Sequence, residues 1–200
     1  MANFDFYSIG HSNIPAERFV ALLRAAGVTT IADVRSVPVS RFCPWFSAKN
    51  LQPLLAREGM TYAPYGGALG GRPRDQSLYH NGIADYEAMA QQPDFEAAMQ
   101  QLLAEAANYR VKGCLCLMCA EREPLECHRC LLVARALAER GLAIGHILYD
   151  GTIESHAATE QRLMDLEAKG DDLFATGQDE RLAAAYRRRA RAVAYRKTKN

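Results

Sequence analysis

Apolar positions along the chain switch repeatedly between two periods. Residues 4–9 form a short aromatic and β-branched run that reads as a strand ending at Gly10. Over residues 15–26, Phe19, Leu22, Leu23 and Ala26 recur at helical spacing, with Pro15 suited to a first turn and Gly27 to a stop. Residues 29–34 read as a second strand. Residues 47–58 read as a second helix, with Leu51, Leu54 and Leu55 on one face and Pro53 either in its first turns or breaking it. A third strand is expected over 60–65, followed by a glycine-rich loop through Asp75, while 76–92 shows no clear period. Phe95, Met99, Leu102 and Leu103 build a helix over 93–107. The run 111–119 is continuously apolar, the mark of a central strand covered on both faces. A helix over 127–140, a stop at Gly141 and a strand over 143–148 complete the series.

Strand and helix thus alternate five times, at intervals that suit parallel crossovers. The expected fold is α/β, a predominantly parallel sheet of about five strands with helices on both faces. Residues 154–200 read as two helices separated by 170–177. They form a C-terminal helical extension of the same domain, whose α/β part, 1–153, carries the site. Internal repeats and low-complexity linkers are not evident.

Each strand leads into a polar cluster. Gly10-His11-Ser12 follows the first, and Asp33-Val34-Arg35-Ser36 with Pro38, Ser40 and Arg41 the second. Leu69-Gly70-Gly71-Arg72 follows the third. Cys119-Ala120-Glu121 and Cys127-His128-Arg129 follow the fourth, and the fifth carries His146. In a parallel sheet these ends share the carboxyl edge, where open α/β folds place ligands. Capping by Ser12, Asn13 or Ser47 explains single residues. It does not explain arginines, histidines and carboxylates converging on one edge. These five motifs, in this order over residues 4–150, resemble the hallmarks of the domain of unknown function 488 family. The resemblance implies a coherent domain and no particular reaction, and nothing carries over to 154–200.

Arg35, Arg41 and Arg129 are candidates for an anion site, because a guanidinium forks two hydrogen bonds onto phosphate or carboxylate oxygens. Ser12, Ser40, His128 and the backbone at Gly70 and Gly71 would join them. The alternative is structural, with Arg35 bridging Asp33 or Glu121. His11 is a candidate general acid or base, and Asp33 and Glu121 an acid/base pair, orienters of His11 or cation ligands. Cys127, beside His128 and Arg129 at an expected helix start, is a candidate nucleophile, with a buried structural thiol as the alternative.

Five of the six cysteines lie between 114 and 130. Cys116-x-x-Cys119 and Cys127-x-x-Cys130 have the outline of a zinc site. However, the gap between the pairs is short, and Cys116 and Cys119 have opposite strand parity. Cys130 suits a buried helix face, and Cys43 loop packing or a pocket wall. No metal or cofactor is therefore assigned. With neither a signal peptide nor a lipidation box apparent, and an apolar stretch at 113–120 far short of a membrane span, the expected location is cytoplasmic and thiols are expected reduced.

Net charge is +1, yet residues 178–200 hold eight basic and two acidic side chains, so the remainder is at −5. The Arg187-Arg188-Arg189-x-Arg191 run suits either phosphate contact or a solvated helix face. Three functions compete. The first is an enzyme acting on a phosphorylated or anionic substrate, nucleotide or nucleic acid included. The second is a non-catalytic nucleic-acid-binding module using the tail. The third is a thiolate-metal or redox protein. The first is preferred, because polar residues from separate strand ends suit chemistry better than surface basicity does.

Overall fold

The computed structural model describes residues 4–109, 114–168 and 177–197. Its sheet is α/β and six-stranded: β1 (Phe6–Gly10), β2 (Val28–Asp33), β3 (Thr61–Pro64), β6 (Cys114–Cys119), β7 (Ile144–Ile147) and β8 (Ile153–Ser155). Their spatial order is β3-β2-β6-β1-β7-β8. All pairings are parallel except that of β7 with β8. The five expected strands are present, though residues 111–113 of the fourth lie outside the described residues. The sixth strand falls at the start of the segment read as a helical extension. It follows a turn at Gly151, whose φ of +95° favours glycine.

Alternating side chains of β6 divide the core. Leu115, Leu117 and Cys119 pack with α5 (Pro93–Tyr109), and Cys116 and Met118 pack with α1 (Ala16–Ala25) and α2 (Ala48–Arg57). Phe19, Val20 and Leu23 give α1 its buried face, and Leu51 and Leu55 do so for α2, which runs through Pro53. Residues 127–140 are not one α-helix. A π-helical segment, Arg129–Ala134, with all six residues buried, passes into α6 (Arg135–Ala138).

Past the short α3 (Gly66–Leu69), the stretch without a clear period contains the hairpin β4 (Tyr79–His80) and β5 (Ile83–Ala84), and then α4 (Tyr86–Ala90). Asn81 and Gly82 both have positive φ, as a two-residue hairpin turn requires. The extension contributes α7 (His156–Glu167), capped by Ser155, and α8 (Gln178–Val193). The segment 170–176, expected to separate them, lies outside the described residues. After α8 the chain docks beside the hairpin, where Ala84 N–H donates to the Tyr195 carbonyl (3.0 Å) and Lys197 N–H to that of Gly82 (2.9 Å). Among the described residues no helix is long and apolar enough to cross a membrane.

Candidate functional site

The carboxyl ends of three adjacent strands, β2, β6 and β1, open into a cleft of about 370 Å³. His11 and Arg35 line one side and Cys119, Glu121, Cys127 and His128 the floor. Ser36, Val37, Val39 and Ser40 come from the loop after β2, Gly71 and Arg72 from the loop after α3, and Val193 and Tyr195 from the end of the chain.

The floor is a cluster of two thiols, a carboxylate and an imidazole. The Sγ atoms of Cys119 and Cys127 approach the same Glu121 oxygen, Oε2, at 2.9 and 3.1 Å. His128 Nδ1 lies 3.7 and 3.9 Å from those sulfurs. Its Nε2 is 2.8 Å from the Val34 carbonyl, which can only accept, so Nε2 carries a proton and Nδ1 faces the sulfurs. Burial pushes the Cys119 thiol up, helped by Cys127 and Glu121. For Cys127 burial acts the same way, but Cys119, Arg129 and His128 outweigh it and hold this thiol well below its usual range. Glu121 is raised by burial and by Cys127. Burial lowers the His128 pKa, but the Cys127 sulfur, the Val34 carbonyl and Glu121 outweigh it and raise it, so the protonation of each of the four groups depends on the others.

Arg129 lies beneath them, fully buried. Its Nη1 donates to the Glu121 carbonyl (2.6 Å) and Nη2 to that of Arg122 (3.1 Å), while Nε has no partner among the described residues. Arg35 is likewise committed. Its Nε and Nη2 fork onto Asp33 (2.8 and 2.6 Å), and Tyr62 donates a further bond to that carboxylate (2.7 Å). The remaining Nη1 reaches His11 Nε2 at 3.0 Å. His11 Nδ1 donates to the Ser12 carbonyl (2.8 Å), so Nε2 accepts from Arg35 and both ring nitrogens are occupied. The ring stacks on Phe46 at 4.2 Å. Burial lowers its pKa to about 4, with Arg35 adding to the effect and the Ser12 carbonyl opposing it.

Gly70 and Gly71 are tight against the site. A Cβ on Gly71 would lie 2.8–3.0 Å from His128 Cγ, Nδ1 and Cβ. Ser12 takes a φ of +46°, and Ser40 accepts from Cys43 N–H (3.1 Å), which folds the loop. Arg41 is exposed and does not line the cleft.

The CxxC pairs do not converge. Cys116 is in the opposite core layer, and Cys130 lies 3.9 Å from His146. His146, within the fifth expected strand, belongs to a buried chain away from the cleft. Ser8 bonds His146 (2.7 Å), His146 bonds His156 (2.9 Å), His156 bonds Tyr186 (3.0 Å) and Tyr186 donates to Glu160 (2.9 Å). The tail arginines also have internal partners. Arg187 pairs with Glu87 (3.5 Å), Arg188 donates to the Glu167 carbonyl (2.8 Å), and Arg189 donates to the Leu125 carbonyl (2.8 Å) and pairs with Glu126 (3.5 Å). Sequence reasoning missed Tyr62, Tyr86, Glu126, Val193 and Tyr195 as neighbours of the site. Glu126 directly precedes Cys127 and was readable as its neighbour, whereas only long-range packing brings Tyr62, Tyr86, Val193 and Tyr195 there.

An α/β domain with a thiol–carboxylate–imidazole cluster at the carboxyl edge of its sheet is the class that fold and site define. The family described as domain of unknown function DUF488 matches residues 15–136, and the chain belongs to it. No curated protein and no solved structure matches the chain.

Proposed function

We propose that the protein is an enzyme acting on a small anionic substrate, with Cys119, Glu121, Cys127 and His128 as its reacting centre. One observation carries this reading: two thiols, a carboxylate and an imidazole meet on the floor of a cleft open to solvent. Glu121 is exposed and free to turn its carboxylate to solvent, yet it sets one oxygen against two buried thiols, an arrangement that packing alone does not require. Arg35 and Arg129 hold the scaffold, so the charge offered to an anion at the rim is that of Arg72, whose guanidinium stacks on Tyr195 (4.7 Å). A phosphate or carboxylate group there would leave the rest of the substrate over the cluster.

The test is calorimetric titration with inorganic phosphate and adenosine monophosphate. It is followed by mass spectrometry of a panel of nucleoside and sugar phosphates incubated with the protein. Binding should weaken at least tenfold in Arg72→Ala, and conversion should be lost in folded Cys127→Ser. Absence of binding, or equal conversion by Cys127→Ser, removes the proposal. The tail arginines supply no support for a nucleic-acid-binding module, since Arg187, Arg188 and Arg189 are spent on docking α8.

A further inference from the structure

Two groups of potential metal ligands occur among the described residues, and they differ in one respect. In the group of Cys130, His146 and His156, each imidazole nitrogen already has a close hydrogen-bond partner, and all three residues are buried. An ion there would have to break that chain. In the group on the cleft floor, His128 Nδ1 faces only the two sulfurs, at distances long for a hydrogen bond.

We propose that Cys119 Sγ, Cys127 Sγ and His128 Nδ1 bind a zinc ion, with Glu121 Oε2 as the fourth ligand. This rests on the reading of the cluster as the reacting centre of the cleft, and gives that centre its cofactor. All four atoms lie within 4.8 Å of one another. Zinc–sulfur and zinc–nitrogen bonds of about 2.3 and 2.0 Å at tetrahedral angles separate sulfur from nitrogen by about 3.5 Å. The observed separations, 3.7 and 3.9 Å, are close to that edge. Glu121 would move outward by about 0.5 Å once an ion replaces the thiol protons.

Three features beyond the ligand set point the same way. The Val34 carbonyl fixes the His128 ring through Nε2, the outer bond that orients ligating histidines. The absence of a side chain at Gly71 keeps the space beside Nδ1 free. Arg129 is a fully buried cation whose guanidinium forms no ion pair with a carboxylate among the described residues. Two thiolates, one carboxylate and a divalent ion sum to −1, and Arg129 balances that charge. Soft thiolates with one imidazole select zinc over magnesium or calcium. The cleft opens above the cluster, so Glu121 can give way to a substrate atom, whereas a structural site stays closed.

The protein, reduced with a phosphine and held anaerobically, is analysed for metal by plasma mass spectrometry and then loaded with Co²⁺ alone. The expected result is one equivalent of zinc, and a thiolate-to-cobalt charge-transfer band after exchange. Both should be lost in Cys119→Ser and in Cys127→Ser, and retained in Cys116→Ser. Should a serine variant misfold, His128→Gln keeps both sulfurs and should shift the cobalt spectrum. Folded, reduced protein with neither zinc nor the cobalt band overturns the inference, as does full metal content in Cys127→Ser. Metal content is read without substrate, so zinc-free protein that still loses conversion in Cys127→Ser overturns the zinc alone. Zinc-loaded protein that binds neither phosphate nor adenosine monophosphate overturns the anionic-substrate reading alone.

Discussion

Replacing Arg35 by methionine separates a scaffolding role from an anion-binding one. The substitution keeps much of the aliphatic stem and deletes three guanidinium bonds, two to Asp33 and one to His11. Asp33 is 1% exposed and would keep the Tyr62 hydroxyl and the Arg35 backbone N–H as donors, without a counter-charge. Removing one partner of a buried pair typically costs about 3–5 kcal/mol, because the other charge stays buried and uncompensated. In a chain of this length, each kcal/mol moves Tm by about 2–4 °C, so a drop of roughly 10 °C is expected. Asp33→Asn/Arg35→Met removes both charges and should recover about 2 kcal/mol relative to the sum of the single changes. Urea unfolding of wild type, both single variants and the double variant closes the cycle. If Arg35→Met costs under about 1 kcal/mol and the cycle is additive within about 0.5 kcal/mol, the pair is not a scaffold and Arg35 is available to a ligand.

Gly71→Ala should abolish cobalt loading and lower Tm, because its Cβ meets the His128 ring at 2.8–3.0 Å. Gly67→Ala, with nothing within 4 Å of a Cβ, should leave cobalt loading intact, and equal loading of the two variants refutes the packing argument. Burial lowers the His156 pKa to about 4, so between the unfolded value near 6.5 and about 4 the unfolded state binds more protons. Stability should therefore be highest above about pH 6.5. It should fall by about 3 kcal/mol per such histidine on acidification to about pH 4. Chemical unfolding across that range should show a shallower slope for His156→Gln, and an unchanged slope counts against the assignment. Arg189→Ala removes the bond to the Leu125 carbonyl and the Glu126 pair, and should destabilise by about 1 kcal/mol in thermal melts. Single-stranded oligonucleotide binding by that variant should match wild type, whereas tight, steeply salt-dependent binding lost on the substitution would reinstate the tail as a phosphate-backbone grip.

The sheet was legible because its strands are short β-branched, aromatic or apolar runs with clear stops, β6 alone being continuously apolar, and the carboxyl-edge location of the polar motifs follows from parallel pairing alone. β8 was not legible, since Ile153–Ser155 has too few residues to show alternation. The hairpin carried a usable signal in Asn81-Gly82, but only two residues pair on each side of it. The π-helical segment Arg129–Ala134 was hidden because a buried run is apolar all round and erases the period that separates it from an α-helix. At the site, sequence order identified which residue types gather, but not where each side chain points. Arg35 and Arg129 looked like forks for a ligand, and in the fold they hold Asp33 and two carbonyls. Strand parity did separate Cys116 from Cys119, because alternation is a local property of the backbone.

Floor and wall of the cleft come from different parts of the chain, and that division has a consequence for what enters. The family match, 15–136, contains the β2 and β6 ends, Arg72 and the whole Cys119–His128 cluster, but it stops before Val193 and Tyr195. Those two residues follow from the docking of α8, and Tyr195 is held by its carbonyl on the β5 backbone and by its ring under Arg72. The sulfurs depend on neither contact. They are fixed by β6, by Glu121 and by the buried Arg129. A change at residue 193 or 195 therefore alters the width of the cleft and the position of the rim cation while the cluster stays in place. On the proposed enzymatic reading, substrate choice would be set by the wall and rim while the cluster on the floor keeps its arrangement.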